Sequence, residues 1–175
     1  MSIEDQSYVE PLGVNGKIIL TSFPGLDVNN NFQQNIFLNQ LSTLVNLNCS
    51  TIISLVEDSE FDQLCDKKIF VREIYKHNLK WMHMPIADLK VPNYEFKQKW
   101  TTSKTLLKKE LLQGNNIVLH CKGGVGRSGT IAALILIEHG ADHSKAIKHV
   151  REKRHGAIEN ELQEQFVLNY KTISF

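Results

Sequence analysis

The chain has 175 residues, 42% of them apolar, with 20 basic and 19 acidic side chains and a net charge of +1. That size and composition suit one ordinary domain with one core, and the near-neutral balance argues against bulk attraction to nucleic acid or an anionic membrane, so any anion selectivity has to be local. Cys49, Cys65 and Cys121 stand far apart, with no C-x-x-C pair and no leader ahead of them, which implies neither a disulfide framework nor a zinc site and makes a reduced, cytoplasmic setting and a monomer the expectation.

Residues 1–11 are polar and patternless and are expected to be loosely held. Lys17 to Thr21 reads as a first strand, ended by the turn Phe23-Pro24-Gly25. Either Asn29 or Asn30 suits the N-cap of a helix carrying Phe32, Ile36, Phe37, Leu41, Leu44 and Val45 at helical spacing. Thr51 to Val56, short and β-branched, suits an interior parallel strand, and Glu57, Asp58 and Glu60 follow it at the edge where open α/β sheets place ligands. Capping of the next helix is the simpler use of those acids. Phe61 to His77 is predicted helical, in one or two pieces, with Phe61, Leu64, Ile74 and Tyr75 inward.

Leu79 to Met84 is the next strand, and Pro85 and Pro92 bound a loop after it. Phe96, Trp100, Leu107 and Leu111 then share one helical stripe, with Lys97, Lys99, Lys104 and Lys108 on a solvated face and Gly114 at the stop. After a strand from Ile117 to Leu119, the helix Ser128 to His139 is apolar nearly all round, which places it at the centre. Its longest apolar run, Ile131 to Ile137, falls far short of the roughly 18 residues of a membrane span. Asp142 caps a helix with Ala146, Ile147 and Val150 inside and Lys145, Lys148, Arg151, Lys153 and Arg154 outside; Gly156 ends it. Asn160 to Tyr170 forms the last helix, with Leu162, Phe166 and Tyr170 four apart. Strands interleaved with helices predict a single α/β domain whose central, mainly parallel sheet of four to five strands is flanked by helices.

One stretch carries the chemistry: His120-Cys121-Lys122-Gly123-Gly124-Val125-Gly126-Arg127-Ser128. It joins an apolar strand to an apolar helix through a turn with three glycines, so that backbone N–H groups from Lys122 to Arg127 can turn inward beside the positive end of a helix. The same dipoles that would hold an oxyanion favour the thiolate of Cys121. Arg127 supplies a planar fork for two oxygens of the anion, and Ser128 can hydrogen-bond the sulfur. A buried, inert cysteine is the commoner fate of a lone thiol in such a domain; the constrained spacing of His-Cys, five residues, Arg-Ser argues against it here.

That run resembles the phosphate loop of the cysteine-dependent protein phosphatases, His-Cys-x5-Arg-Ser/Thr. The resemblance implies a phosphatase fold, a phosphocysteine intermediate on Cys121, an Arg127 clamp on the equatorial oxygens and a buried, supporting His120. Expelling an alkoxide or phenoxide needs a positioned acid. Asp88, in the proline-bounded loop 33 positions before Cys121 (121 − 88), is the best candidate, although an arbitrary loop aspartate more often caps a turn. Met84-Pro85-Ile86-Ala87-Asp88 resembles the acid loop of the dual-specificity type, and most closely that of the kinase-associated phosphatases. In that family the aspartate first protonates the leaving group and then activates water.

Ala157-Ile158-Glu159-Asn160-Glu161-Leu162-Gln163 resembles the family's glutamine-bearing segment. There Gln163 matches the second glutamine and is a candidate substrate-binding residue, while Glu159 departs from the first. Gln163 equally suits a capping-box position behind Asn160. Lys122, Gly123, Gly124, Val125 and Gly126 are the other candidate substrate-binding residues. No metal or other cofactor is expected, and His139 and His143 straddle Gly140 and make a poor metal pair. The expected partner is a phosphorylated protein, with a protein kinase one candidate. The alternatives are a phosphoinositide phosphatase, disfavoured because Val125 stands where such loops often carry a second basic residue, and a non-catalytic module that only binds phosphoproteins.

Overall fold

In the computed structural model, which describes residues 5–172, the period-two alternation of short apolar runs builds a sheet with two covered faces. Its strands are β1 (Ser7–Val9), β2 (Ile18–Thr21), β3 (Cys49–Ser54), β4 (Lys80–His83) and β5 (Asn116–His120). They lie side by side in the order β1-β2-β5-β3-β4, all parallel except β1. Ile18, Leu20, Ile53, Ile117 and Leu119 face one core, and Ile19, Ile52 and Val118 the other. Burial on both sides is what a parallel sheet demands, and it explains why the three central strands read as continuous apolar runs.

The second of those cores is closed by α1 (Gln34–Asn46), α2 (Asp58–Leu64) and α3 (Lys67–Lys76) through Phe37, Leu41, Phe61, Phe70 and Ile74. Phe37 and Phe70 stack with centroids 4.5 Å apart, and Phe61 meets both Phe70 and Phe23 edge-on, contacts worth about 0.5–1.5 kcal/mol per pair beyond area burial. The first core is covered by α4 (Tyr94–Leu112), α5 (Gly126–Glu138), α6 (His143–Lys153) and α7 (Glu161–Leu168). Every residue of α5 from Gly126 to Ile137 is buried, so the helix that follows β5 is locked in the interior, as its composition implies. Side chains of Asp66 and Asp142 cap α3 and α6, each contributing about 1 kcal/mol. No helix among the described residues is long and apolar enough to cross a membrane.

Several expectations need correction. Residues 1–11, expected to be loose, contribute β1, where Tyr8 lies opposite Ile19; residues 1–4 lie outside the described residues. The first helix begins at Gln34 rather than behind Asn29 or Asn30, because Asp27 draws those residues into a turn by accepting from the Asn29 and Asn31 amides. Of the two readings of the stretch 61–77, the two-piece one holds: the extended backbone of Cys65 separates α2 from α3, and α2 starts earlier, at Asp58. Val45, Tyr75 and Leu162 face outward, and Lys104, assigned to a solvated face, is buried against Glu138 at 2.8 Å. In α7 the fully buried residues are Gln163 and Val167, while Phe166 and the following Tyr170 pack half-buried against the same core.

Candidate active site

β5 delivers Cys121 to the carboxyl edge of the sheet, and the chain turns at once into α5. The turn needs glycine for defined reasons. Gly124 has φ +69, and a Cβ there would collide with the backbone of Thr21 and Ser22, while one on Gly126 would collide with the Glu159 carboxylate. Gly123 has open space and no such requirement. Within this turn the Gly124 amide donates to Cys121 Sγ at 3.2 Å, and Ser128 Oγ lies 3.6 Å from the same sulfur. The N-cap residue Val125 offers no side-chain cap, so the first amides of α5 are left to the loop they face. Lys122 is exposed, and its carbonyl accepts from the Phe23 amide.

Behind Cys121 a relay of donors fixes the loop's base. Trp81 Nε1 can only donate, so Ser54 Oγ accepts there at 2.8 Å and gives its own proton to His120 Nε2 at 2.6 Å. That assigns the proton of His120 to Nδ1, which points at the Cys121 carbonyl 3.3 Å away. Full burial pushes the His120 pKa down from 6.5 to about 3, so the ring is neutral. The family resemblance had implied a supporting histidine, and this is the geometry of one.

Arg127 is 2% exposed, and its fork is filled from three directions. Glu60 accepts from both terminal nitrogens, at 2.6 Å from Nη1 and 2.9 Å from Nη2. Ile86 O accepts from Nη1 at 3.1 Å, and Asp88 Oδ1 lies 3.1 Å from Nη2. Burial works against the guanidinium charge, yet Glu60, Cys121 and Asp88 raise the Arg127 pKa above its ordinary value. Burial likewise penalises Glu60, but Arg127 and the Glu57 amide hold its carboxyl below the usual range. Breaking a buried pair of this kind costs about 3–5 kcal/mol, because the survivor keeps its desolvation penalty. Nε–H and the second Nη2 hydrogen form the fork's remaining edge, and Asp88 stands at that edge.

The Asp88 loop is secured from a distance. Its Leu89 adopts φ +60; Asn160 Nδ2 donates to Leu89 O at 3.1 Å and Gln163 Nε2 to Lys90 O at 3.4 Å. Gln163 is fully buried, with its Oε1 taken by the Glu159 amide and its own amide capped by Asn160. Its side chain is therefore engaged in joining two loops, and the capping alternative describes part of what it does. Asp88 itself is 63% exposed at its side chain.

The structure thus gathers Cys121, Arg127, Ser128, Gly124 and Asp88. Sequence reasoning missed Glu60 as a site residue: it had been assigned to helix capping, and it does that too, accepting from the Glu57 amide at 2.8 Å while it grips Arg127. Its place directly after a central parallel strand was the available signal. Arg154, assigned to a solvated face, instead donates to the carbonyls of Gly124 and Gly123. Cys49 and Cys65 pack into the core on the far face of the sheet from Cys121, and burial pushes both thiols up to about 12.

A family model described as PTP-SAK, Swiss Army Knife protein, DSP-PTPase phosphatase domain, matches residues 32–167. Protein tyrosine phosphatase type IVA 3 of Bos taurus is 28% identical over 130 residues, covering 70% of this chain and 73% of the relative. The probable protein tyrosine phosphatase type IVA A of Dictyostelium discoideum is 41% identical over 56 residues, or 32% of this chain and 33% of that protein. A crystal structure of kinase associated phosphatase, with serine replacing its catalytic-site cysteine, superposes with a TM-score of 0.77 at 20% identity, covering 93% of this chain and 90% of that one. At that identity the likeness speaks for the fold.

Proposed function

The chain belongs to the DSP-PTPase phosphatase domain family, and from that membership we propose that it hydrolyses phosphomonoesters on protein side chains through a phosphocysteine on Cys121. The observation that supports this reading is the convergence on one sulfur of the Gly124 amide at 3.2 Å and the Ser128 hydroxyl at 3.6 Å, in the loop that ends at Arg127.

The chemistry follows from these positions. The Cys121 thiolate attacks phosphorus in line with the ester oxygen; the S–P bond forms as the P–O bond breaks, and the Asp88 carboxyl gives its proton to the departing oxygen. Arg127 binds two non-bridging oxygens through Nε and Nη2, more tightly as charge moves onto them. Glu60 keeps the fork turned to present that edge. Asp88 Oδ1 lies 3.1 Å from Nη2, so an incoming phosphate that takes over Nη2 also releases Asp88 toward the leaving oxygen. In the second step Asp88, now ionised, removes a proton from water; the oxygen attacks phosphorus, the S–P bond breaks and the Ser128 hydroxyl stabilises the thiolate that leaves.

The preference for a phosphoprotein over a multiply phosphorylated headgroup rests on Val125, which brings no second cation to the loop. The similarity to kinase associated phosphatase makes a phosphorylated kinase one substrate to try. Hydrolysis of a small aryl phosphate in the presence of a chelator tests the mechanism: Cys121→Ser should abolish turnover, and activity surviving that change would refute it. Phosphopeptides and inositol phosphates offered to the same preparation then separate the two substrate classes.

A further inference from the structure

Arg154, the residue at the end of α6, reaches beneath the phosphate loop. Its Nε donates to Gly124 O at 3.1 Å and its Nη2 to Gly123 O at 3.3 Å. In a trans peptide the C=O and the next N–H point in opposite directions. The Gly123–Gly124 peptide is consequently fixed at both ends, its oxygen drawn outward by Arg154 and its N–H directed inward to Cys121 Sγ at 3.2 Å. The same geometry at Gly124 O turns the Val125 amide inward.

Arg154 is itself held. Asp5, in the segment ahead of β1, accepts from Arg154 Nη2 through Oδ1 at 2.9 Å and from the Ser22 amide through Oδ2 at 3.0 Å, and its main-chain oxygen accepts from Nη1. Ser22 belongs to the stretch of backbone that Gly124 packs against without room for a Cβ. The Arg154 side chain is 12% exposed and that of Asp5 29%, so the pair is shielded well beyond an ordinary surface contact.

We propose that Arg154 and Asp5 are positioning residues for oxyanion binding: Arg154 holds the carbonyls of the phosphate loop outward so that its amides face the anion, and Asp5 holds Arg154. Asp5, ahead of the first strand, is then a working part of the site although it acts only through Arg154 and Ser22. The proposal rests on the phosphate-loop reading given above and extends it to residues outside the loop.

Tungstate serves as the probe, because its binding, followed by titration calorimetry on the full chain, reports on the loop whether or not turnover occurs. Asp5→Ala should weaken tungstate binding and lower kcat/KM by about tenfold, the effect of one charge-assisted hydrogen bond. Asp5→Glu should restore most of the loss. Arg154→Ala should do more than Asp5→Ala, and adding Asp5→Ala to it should change little, since the two act in series; Arg154→Lys replaces it as the background if Arg154→Ala does not fold. The proposal is overturned if Asp5→Ala binds tungstate within twofold of the unaltered chain, or if its effect persists undiminished when Arg154 is changed. An unaltered chain that binds tungstate but cleaves no phosphomonoester would sink the phosphatase reading and leave this one standing.

Discussion

The two loops that meet at Arg127 are held in opposite ways. The phosphate loop is continuous in sequence, running from the end of a central strand into a helix buried on every side, with the Gly123–Gly124 peptide fixed on both faces. The Asp88 loop is exposed at the side chain that matters and is tied by single hydrogen bonds from Asn160, Gln163 and Arg127. The contrast teaches that binding geometry is set in advance whereas the acid proposed as proton donor is kept adjustable. In the proposed mechanism that acid leaves Arg127, serves the leaving oxygen and then the water, and a lightly anchored loop suits such a sequence.

Short of removing the nucleophile itself, the largest effect should come from removing the adjustable half outright. Asp88→Ala is expected to lower kcat about 10²–10³-fold for alkyl and phenyl phosphates of poor leaving ability, and far less for nitrophenyl phosphate, whose oxygen departs without a proton. Equal losses across a leaving-group series would mean that Asp88 is not the donor. A smaller change loosens that loop without touching its acid: Gln163→Ala removes the bond to Lys90 and should cost about tenfold in kcat while KM stays put, on the scale of one hydrogen bond to a positioning group. If KM rises instead, Gln163 serves binding rather than the acid loop.

The smallest effect probes the rigid half through pH. His120 has a folded pKa of about 3, below its ordinary 6.5, so between those values the unfolded chain binds more protons than the folded one. Its contribution to stability is therefore complete above 6.5 and is lost as pH falls toward 3. Urea unfolding of His120→Asn, compared with the unaltered chain, should show a shallower loss of stability across that window; matching slopes would place the acid sensitivity elsewhere.

The same contrast explains what was legible in the sequence. A loop of contiguous residues, Cys121 to Ser128, announces its geometry because strand, glycines and helix follow one another without a gap. Asp88 was findable only through the prolines around it and a family likeness, since nothing local links it to Arg127. Glu60 was visible but given one role where it has two, because an acid at a helix start satisfies amides whether or not an arginine reaches it from 67 positions away. Arg154 and Lys104 looked like solvated charges; their burial depends on Asp5 and Glu138, which helical periodicity says nothing about. Val45, Tyr75 and Leu162 fit an apolar stripe by spacing and miss the core by direction. A three-residue strand such as β1 is too short to show alternation, and only its pairing with β2 defines it.

The sheet also acts as a wall between the thiols. Cys121 packs with one core and the half-buried Cys49 and Cys65 against the other, so the sheet stands between a nucleophile oxidised by peroxide and the two thiols that could form a rescuing disulfide with it. Recovery from oxidative stress would then depend on reductants diffusing in from solution, and the lifetime of the inactivated form would follow their concentration.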